Sequence, residues 1–509
     1  MLNYGAQPDL LGPLTAAQWS IWAAQQLRPE VPYNMAGFLA IDHDVDADRL
    51  AVACESAVTR FGTPCARISI EDGQPFFILD RSLPQTVRCI DLRAESDPAT
   101  AASSWMNNHY RQPIDLLRDR LTDQALLRIT DNLSYFYMRT HHVLFDGYGA
   151  NNLIRQIAAV YSGAAADAGE VDFSEFALIR EADQKYQQSS RSHADAEYWK
   201  SVVRGRPLDF TDLRGTRRSV PPRHPHMHEM VCMHRLSENR YDQFDVARVV
   251  AIMAVFIAKT TGRQNISLSL PVSVRTTAAL KRCAGMVSNM VPLFIRVDDS
   301  DTIGAITDQV THTVVGALRH QQFRRWPDLV EDATRTDMNV EFGPMINVLG
   351  FVDPSCFGTS EPMYNVLSTG PIQDIAINIY PRLGDSTPRC QFTWNPDRYT
   401  ADEINRHITR LESLFDRLWV ADASVVVGEV SLLDRGERDL VVSGWAGAGG
   451  GAPVGVAPQL LAAAVAAGPD AVAVLDGARA VSYRELDEWS TRLARVLIEA
   501  GVGPERAVG

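Results

Sequence analysis

The run His141-His142-Val143-Leu144-Phe145-Asp146-Gly147 sits where strand-like alternation over 134–141 gives way to helical periodicity over about 151–161. That junction fixes two adjacent imidazoles at a strand end and a carboxylate at the following turn, with Gly147 and Gly149 breaking the chain before the helix. Histidine accounts for 12 of 509 residues, so composition alone yields this HHxxxDG spacing on the order of once per thousand chains of this length. A neutral imidazole has an unperturbed pKa of about 6.5 and accepts a proton at neutral pH. As a positioned base it contributes roughly 10²- to 10⁴-fold, so the constellation suits acyl transfer. The bland alternative is a packed pair of strand-end histidines, the commoner fate of a lone pair.

The rest of the chain reads as alternating helices and strands. Helices are expected over 14–27, with Thr15 as a capping residue, and over 46–60, 242–260 and 401–419. Strands are expected over 36–41, 74–79, 266–272, 290–297, 345–352, 374–380 and 390–394. A polar segment over 182–193 separates two α+β halves, of which only the first carries HHxxxDG. Residues 445–453 form a Gly/Ala-rich stretch that reads as a linker. Beyond it the chain contains barely one helix, over 487–500, too little to bury a core alone, so it is expected to stop inside a further domain.

With 46% hydrophobic and 22% charged residues the chain is globular. Its net charge of −13 argues against nucleic-acid binding, which needs a basic footprint. No stretch approaches the roughly 18 apolar residues of a membrane span and residues 1–13 lack a signal-peptide pattern, so a cytoplasmic protein is expected. The seven cysteines are scattered, without CxxC or metal spacing, and no metal site is expected. The stretch Arg223-His224-Pro225-His226-Met227-His228 reads as a solvated loop. Arg324-Arg325 and Arg214, Arg217 and Arg218 read as small basic surfaces. Trp19, Trp22 and Trp394 are expected in the core.

Four runs, taken in order, resemble the motifs of the condensation domain of a nonribosomal peptide synthetase. They are Leu14-Thr15-Ala16-Ala17-Gln18-Trp19-Ser20-Ile21-Trp22, the HHxxxDG run, Tyr198-Trp199, and Gly285-Met286-Val287-Ser288-Asn289-Met290-Val291-Pro292-Leu293. Downstream, Val481-Ser482-Tyr483-Arg484-Glu485-Leu486 with 493–503 resembles the first core motif of adenylation domains. Two departures, a degenerate second motif over 59–67 and the missing proline after Pro113-Ile114-Asp115-Leu116, bear on local packing only. The resemblance implies an α+β fold of two chloramphenicol-acetyltransferase-like lobes forming a V-shaped pseudo-dimer, plus a short adenylation-domain fragment. The implied boundaries are 1–180 for the N-terminal lobe, 181–436 for the C-terminal lobe, 437–456 for a linker and 457–509 for the truncated adenylation start.

The resemblance also implies the chemistry. The domain would form an amide between a carrier-bound acyl donor and a carrier-bound aminoacyl acceptor, both presented as phosphopantetheine thioesters, with no cofactor bound for catalysis. The catalytic group would be His141, His142, Asp146 and Gly147, with His142 either removing the amine proton or hydrogen-bonding the amine and the developing oxyanion. Asp146 would pair with Arg275, Gly147 would allow close approach of the backbone, and Tyr148, Gly149 and Asn289 would line the channel. The implied partners are a donor acyl carrier protein in trans, since the unit begins almost at Met1, a downstream peptidyl carrier as acceptor, and the adenylation domain of the full-length chain. Residues 347–351 and 368–374 are similar to modules of enterobactin-type siderophore synthetases, which favours an aryl donor over a fatty acyl one. Two rivals remain: a stand-alone acyltransferase using coenzyme A thioesters, and a carrier-docking scaffold without catalysis.

Overall fold

Thr15 begins the first helix by a reciprocal cap. Its hydroxyl accepts from the Gln18 backbone, and the Gln18 side chain accepts from the Thr15 backbone. The computed structural model describes residues 10–79, 87–166, 172–204, 213, 226–230, 246–329, 342–349, 356–360, 362, 364–380, 389–445, 456–477, 479–503 and 506–508. It divides into a unit ending at Leu432 and another starting at Leu433.

The first lobe runs through β1 (Leu10–Pro13), α1 (Ala16–Leu27), β2 (Asn34–Ile41), α2 (Ala47–Phe61), β3 (Ala66–Glu71), β4 (Gln74–Leu79), β5 (Val87–Asp91), α3 (Pro98–Tyr110), β6 (Thr122–Thr130), β7 (Leu133–His141) and α4 (Gly147–Tyr161). β1, β4 and β3 form a small antiparallel sheet. In the larger sheet β7 lies between β2 and β6, antiparallel to both, and β5 extends it parallel to β6. Leu50 and Cys54 of α2, Leu153 and Ile157 of α4, and Phe136 and Met138 of β7 meet in the core against this sheet. β7 therefore delivers His141 and His142 from a central, doubly paired strand.

The expected break over 182–193 is instead a pair of helices, α5 (Ser174–Gln187) and α6 (Ser190–Val203), interrupted only at Gln188-Ser189. Most of their polar residues face outward, but Glu175, Ser192 and Asp195 are buried with Ile179 and Trp199, the last two in the second lobe's core. That lobe continues with β8 (His226–Met230), α7 (Val246–Thr261), β9 (Asn265–Val272), α8 (Ala278–Arg282), β10 (Asn289–Arg296), α9 (Ile303–Arg319), β11 (Met345–Val348), β12 (Tyr364–Thr369), β13 (Ile375–Tyr380), β14 (Arg389–Trp394) and α10 (Ala401–Trp419). Its sheet has the order β10-β9-β11-β13-β14-β8. The 226–228 part of the His-rich stretch is thus an edge strand rather than a loop, and 223–225 lie outside the described residues, as do Arg214, Arg217 and Arg218.

A boundary at 180/181 fails for one strand. β12 leaves the second lobe and pairs antiparallel with β2, completing the first lobe's sheet. The edge of β2 would otherwise present unpaired backbone groups. The expected linker over 437–456 also begins in helix: α11 (Arg435–Asp439), opened by an Asp434 side chain accepting from Glu437 N at 2.8 Å, continues into a wide helical turn over Leu440–Gly444. Residues 446–455 lie outside the described residues.

In the second unit, α12 (Ala457–Ala467) precedes the hairpin β15 (Val472–Asp476) and β16 (Arg479–Ser482), and α13 (Tyr483–Glu499) begins with a Ser482–Glu485 capping box. Val481 is the buried hydrophobic residue of this unit among those described, whereas Leu475, Leu493 and Ile498 are exposed. No helix among the described residues is long and apolar enough to cross a membrane.

Candidate active site

His142 follows β7 and is fixed by its own backbone, whose N–H donates to Tyr33 O at 2.8 Å. Its side chain lines a cavity of about 630 Å³ bounded by residues of both lobes. Nδ1 is buried without a hydrogen-bond partner, which leaves Nε2 as the ring nitrogen open to the cavity. Burial lowers the His142 pKa below its ordinary value, against the opposing charge of Asp146. The ring is therefore neutral at neutral pH and able to accept a proton.

His141 has the opposite surroundings. It is fully buried, its Nδ1 accepts from Val143 N at 3.1 Å, and its Nε2 lies 3.1 Å from Gln25 Oε1, to which it donates. Burial, then the neighbouring His142 and Arg139, push its pKa down to about 3. Both nitrogens are engaged inside the protein, and His141 is not among the residues lining the cavity.

Asp146 is the N-cap of α4, its Oδ1 accepting from Gly149 N at 2.8 Å. This cap starts the helix at Gly147, four residues before the expected 151, so Gly147 and Gly149 are helical rather than helix-breaking. The other carboxylate oxygen, Oδ2, accepts from Arg275 Nη1 at 2.7 Å and from the backbone N–H groups of Val287 and Ser288 at 2.9 Å each. Burial alone would raise the carboxyl pKa, but the Arg275 charge and these hydrogen bonds outweigh it and hold the group below the usual range. A carboxylate with four donors is a joint, not a proton carrier. Arg275 adds a bond from Nη2 to Gly285 O at 2.8 Å, and its guanidinium carbon lies 4.7 Å from the centre of the Tyr148 ring.

The joint ties the lobes together. Residues 284–288 of the second lobe cross to the first, where Gly285 bridges to Phe145 and Met286 N donates to Leu144 O at 3.0 Å. Gly149 is expected in the channel, but it lies behind it: a Cβ there would stand 1.6 Å from Ala284 O, so only glycine admits this crossing. Gly147, Tyr148 and Asn289 do line the cavity, although the Asn289 amide is spent on Gln321 O and Phe323 O at 2.8 and 2.7 Å. Gly147 does not have a positive φ; its place is the exposed first position of α4, at the cavity wall.

Other expectations change. Trp19 is 38% exposed and stacks on the half-buried Trp22 instead of entering the core, whereas Trp394 is buried. Arg324 is not a surface group: it lines the cavity and donates to Val287 O and Ser288 O. Gly370, at φ +96°, ends β12 beside the catalytic candidate, with its Cβ direction 3.6 Å from His142 Cδ2.

A family model described as the condensation domain matches residues 11–442. The chain belongs to the condensation domain family. It is accordingly an acyltransferase of the amide-forming class. A dimodular nonribosomal peptide synthase of Bacillus subtilis is 28% identical over 98% of this chain and 21% of its own length. Enterobactin synthase component F of Escherichia coli is 26% identical over 97% of this chain and 39% of its own length. The chain therefore spans between about a fifth and two fifths of these relatives. Among solved structures, the starter condensation domain of rhizomide synthetase in complex with C8-CoA and Leu-SNAC is 26% identical, with a TM-score of 0.74, covering 83% of this chain and 97% of that one.

For a condensation domain, sequence reasoning missed Arg324, Gln25 and Gly370. Gln25 sits in α1 and Gly370 directly after the strand exchanged between lobes, and nothing local to either residue announces a contact more than 100 positions away. For Arg324, the signal was the arginine pair next to Trp326, which composition assigns to the surface.

Proposed function

We propose that the chain forms an amide by transferring an acyl group from a carrier-bound phosphopantetheine thioester to the amine of a carrier-bound aminoacyl thioester. The observation that carries this reading is a neutral His142 on a cavity shared by the two lobes, with the neighbouring carboxylate fully engaged in a joint. The acceptor amine attacks the donor carbonyl, the carbon–sulfur bond breaks as the amide bond forms, and the amine's proton passes to His142 and on to the leaving thiolate. His142 is the HHxxxDG base, Asp146, Arg275 and His141 hold its loop, and Gly147 and Tyr148 shape the wall beside it. The lobes form a V-shaped, chloramphenicol-acetyltransferase-like pair, and 457–509 begin an adenylation domain.

The donor in this reading is an aryl group delivered on a separate carrier protein, and the acceptor sits on a downstream peptidyl carrier. The likeness of 347–351 and 368–374 to enterobactin-type modules, together with the enterobactin synthase relative, supports it. We place the reaction in the cytoplasm. A fatty acyl donor is the second reading, favoured by the C8-CoA complex of the rhizomide domain and by the apolar cavity wall at Leu270, Val314, Leu318 and Met345. Intact-protein mass spectrometry of an aminoacyl carrier, incubated in parallel with aryl-carrier, octanoyl-carrier and octanoyl-coenzyme A donors, tests both. Mass gain from the aryl carrier alone supports the first reading, gain from the octanoyl carrier the second, and equal gain from free coenzyme A thioester contradicts carrier dependence.

A further inference from the structure

The crossing loop is held from two sides. The peptide group joining Val287 to Ser288 donates its N–H to Asp146 Oδ2 at 2.9 Å and accepts on its carbonyl from Arg324 Nη2 at 2.5 Å. Its dipole therefore runs from a cation to an anion, the orientation in which both hydrogen bonds reinforce each other. The same two side chains repeat the arrangement on either flank: Val287 N donates to Asp146 at 2.9 Å, and Ser288 O accepts from Arg324 Nη1 at 2.8 Å. Among the described residues Arg324 makes no ion pair, so its guanidinium is committed to these carbonyls. Two-pronged donation to adjacent carbonyls needs the planar fork of arginine; a lysine ammonium lacks that fork.

We propose that Arg324 is a positioning residue for condensation, holding the Val287–Ser288 peptide on Asp146 and thereby the loop after His142 in register with the cavity. The inference rests on His142 carrying the reaction. Arg324 acts through the loop and not on the substrate, so its loss lowers kcat and leaves KM for donor and acceptor unchanged. A guanidinium that bound substrate would instead raise KM.

The test uses the full chain with Arg324→Met and Arg324→Lys, read in two ways. Steady-state condensation between acyl and aminoacyl carriers should show kcat reduced about 100-fold in R324M and about 10-fold in R324K, with KM within about twofold of the wild type. Hydrogen exchange, followed by mass spectrometry, should accelerate at least about tenfold in peptides covering 143–149 and 284–289, and not in the β6–β7 hairpin. Unchanged exchange in those peptides, or a kcat within twofold of the wild type, overturns the proposal, as does a loss carried by KM alone. Should R324M fail to fold, R324K decides by the same criteria. A wild type that makes no product contradicts the condensation reading, while the exchange comparison still decides the role of Arg324.

Discussion

His141 and His142 are chemically identical neighbours whose surroundings give them different work. One ring has both nitrogens bonded inside the protein; the other keeps Nε2 on the cavity. Asp146 marks the sharper consequence. Replacing it with alanine strands the Arg275 side chain, only 1% exposed, as an unpaired buried charge, at a cost of about 3–5 kcal/mol. Urea denaturation of Asp146→Ala should show that loss, partly recovered by adding Arg275→Met. Unchanged stability with lost activity would contradict the joint. The residue types needed at the site were legible in the HHxxxDG run, and the partner of Asp146 came from the family resemblance. Which histidine faces the cavity was not legible from local sequence, because the Gln25 contact that engages the His141 ring spans 116 positions.

At the scale of elements, periodicity located β4 and α10 to the residue, since each carries its own pattern of apolar positions. It misplaced the start of α4 because two glycines read as breakers, while the Asp146 cap and the crossing loop stabilise helix through them. The exchange of β12 into the first sheet was equally hidden, since a strand's pattern states which face is apolar and not which sheet it joins. Gly149→Ala tests the closeness of α4 and the loop. The added Cβ would meet Ala284 O at 1.6 Å, so α4 and the loop must separate, and stability should fall by about 3 kcal/mol or more. A variant melting within about 1 °C of the wild type would contradict the close approach of the two elements.

At the scale of the whole molecule, two buried groups pull stability in opposite directions with pH. His141 falls from 6.5 unfolded to about 3 folded, so the unfolded chain binds more protons in that window and stability rises with pH until about 6.5. Glu175, buried beneath the Gly285 N–H, rises from 4.5 to about 7; its stabilising effect is full below 4.5 and lost as pH rises through 7. Glu175→Gln should remove the second dependence. Relative to the wild type, the variant should gain about 1–3 kcal/mol between pH 5 and pH 8 in urea denaturation, and parallel pH profiles would contradict the assignment.

Amide formation in the proposed reaction depends on His142 at the cavity shared by the lobes. The most direct measurement is intact-protein mass spectrometry of the aminoacyl acceptor carrier after incubation with acyl-loaded donor carrier and either wild type or His142→Ala. The wild type should transfer the acyl mass to the acceptor, and the variant should do so at least about 100-fold more slowly, with carrier binding and melting temperature retained. Equal transfer by both proteins would contradict this dependence on His142.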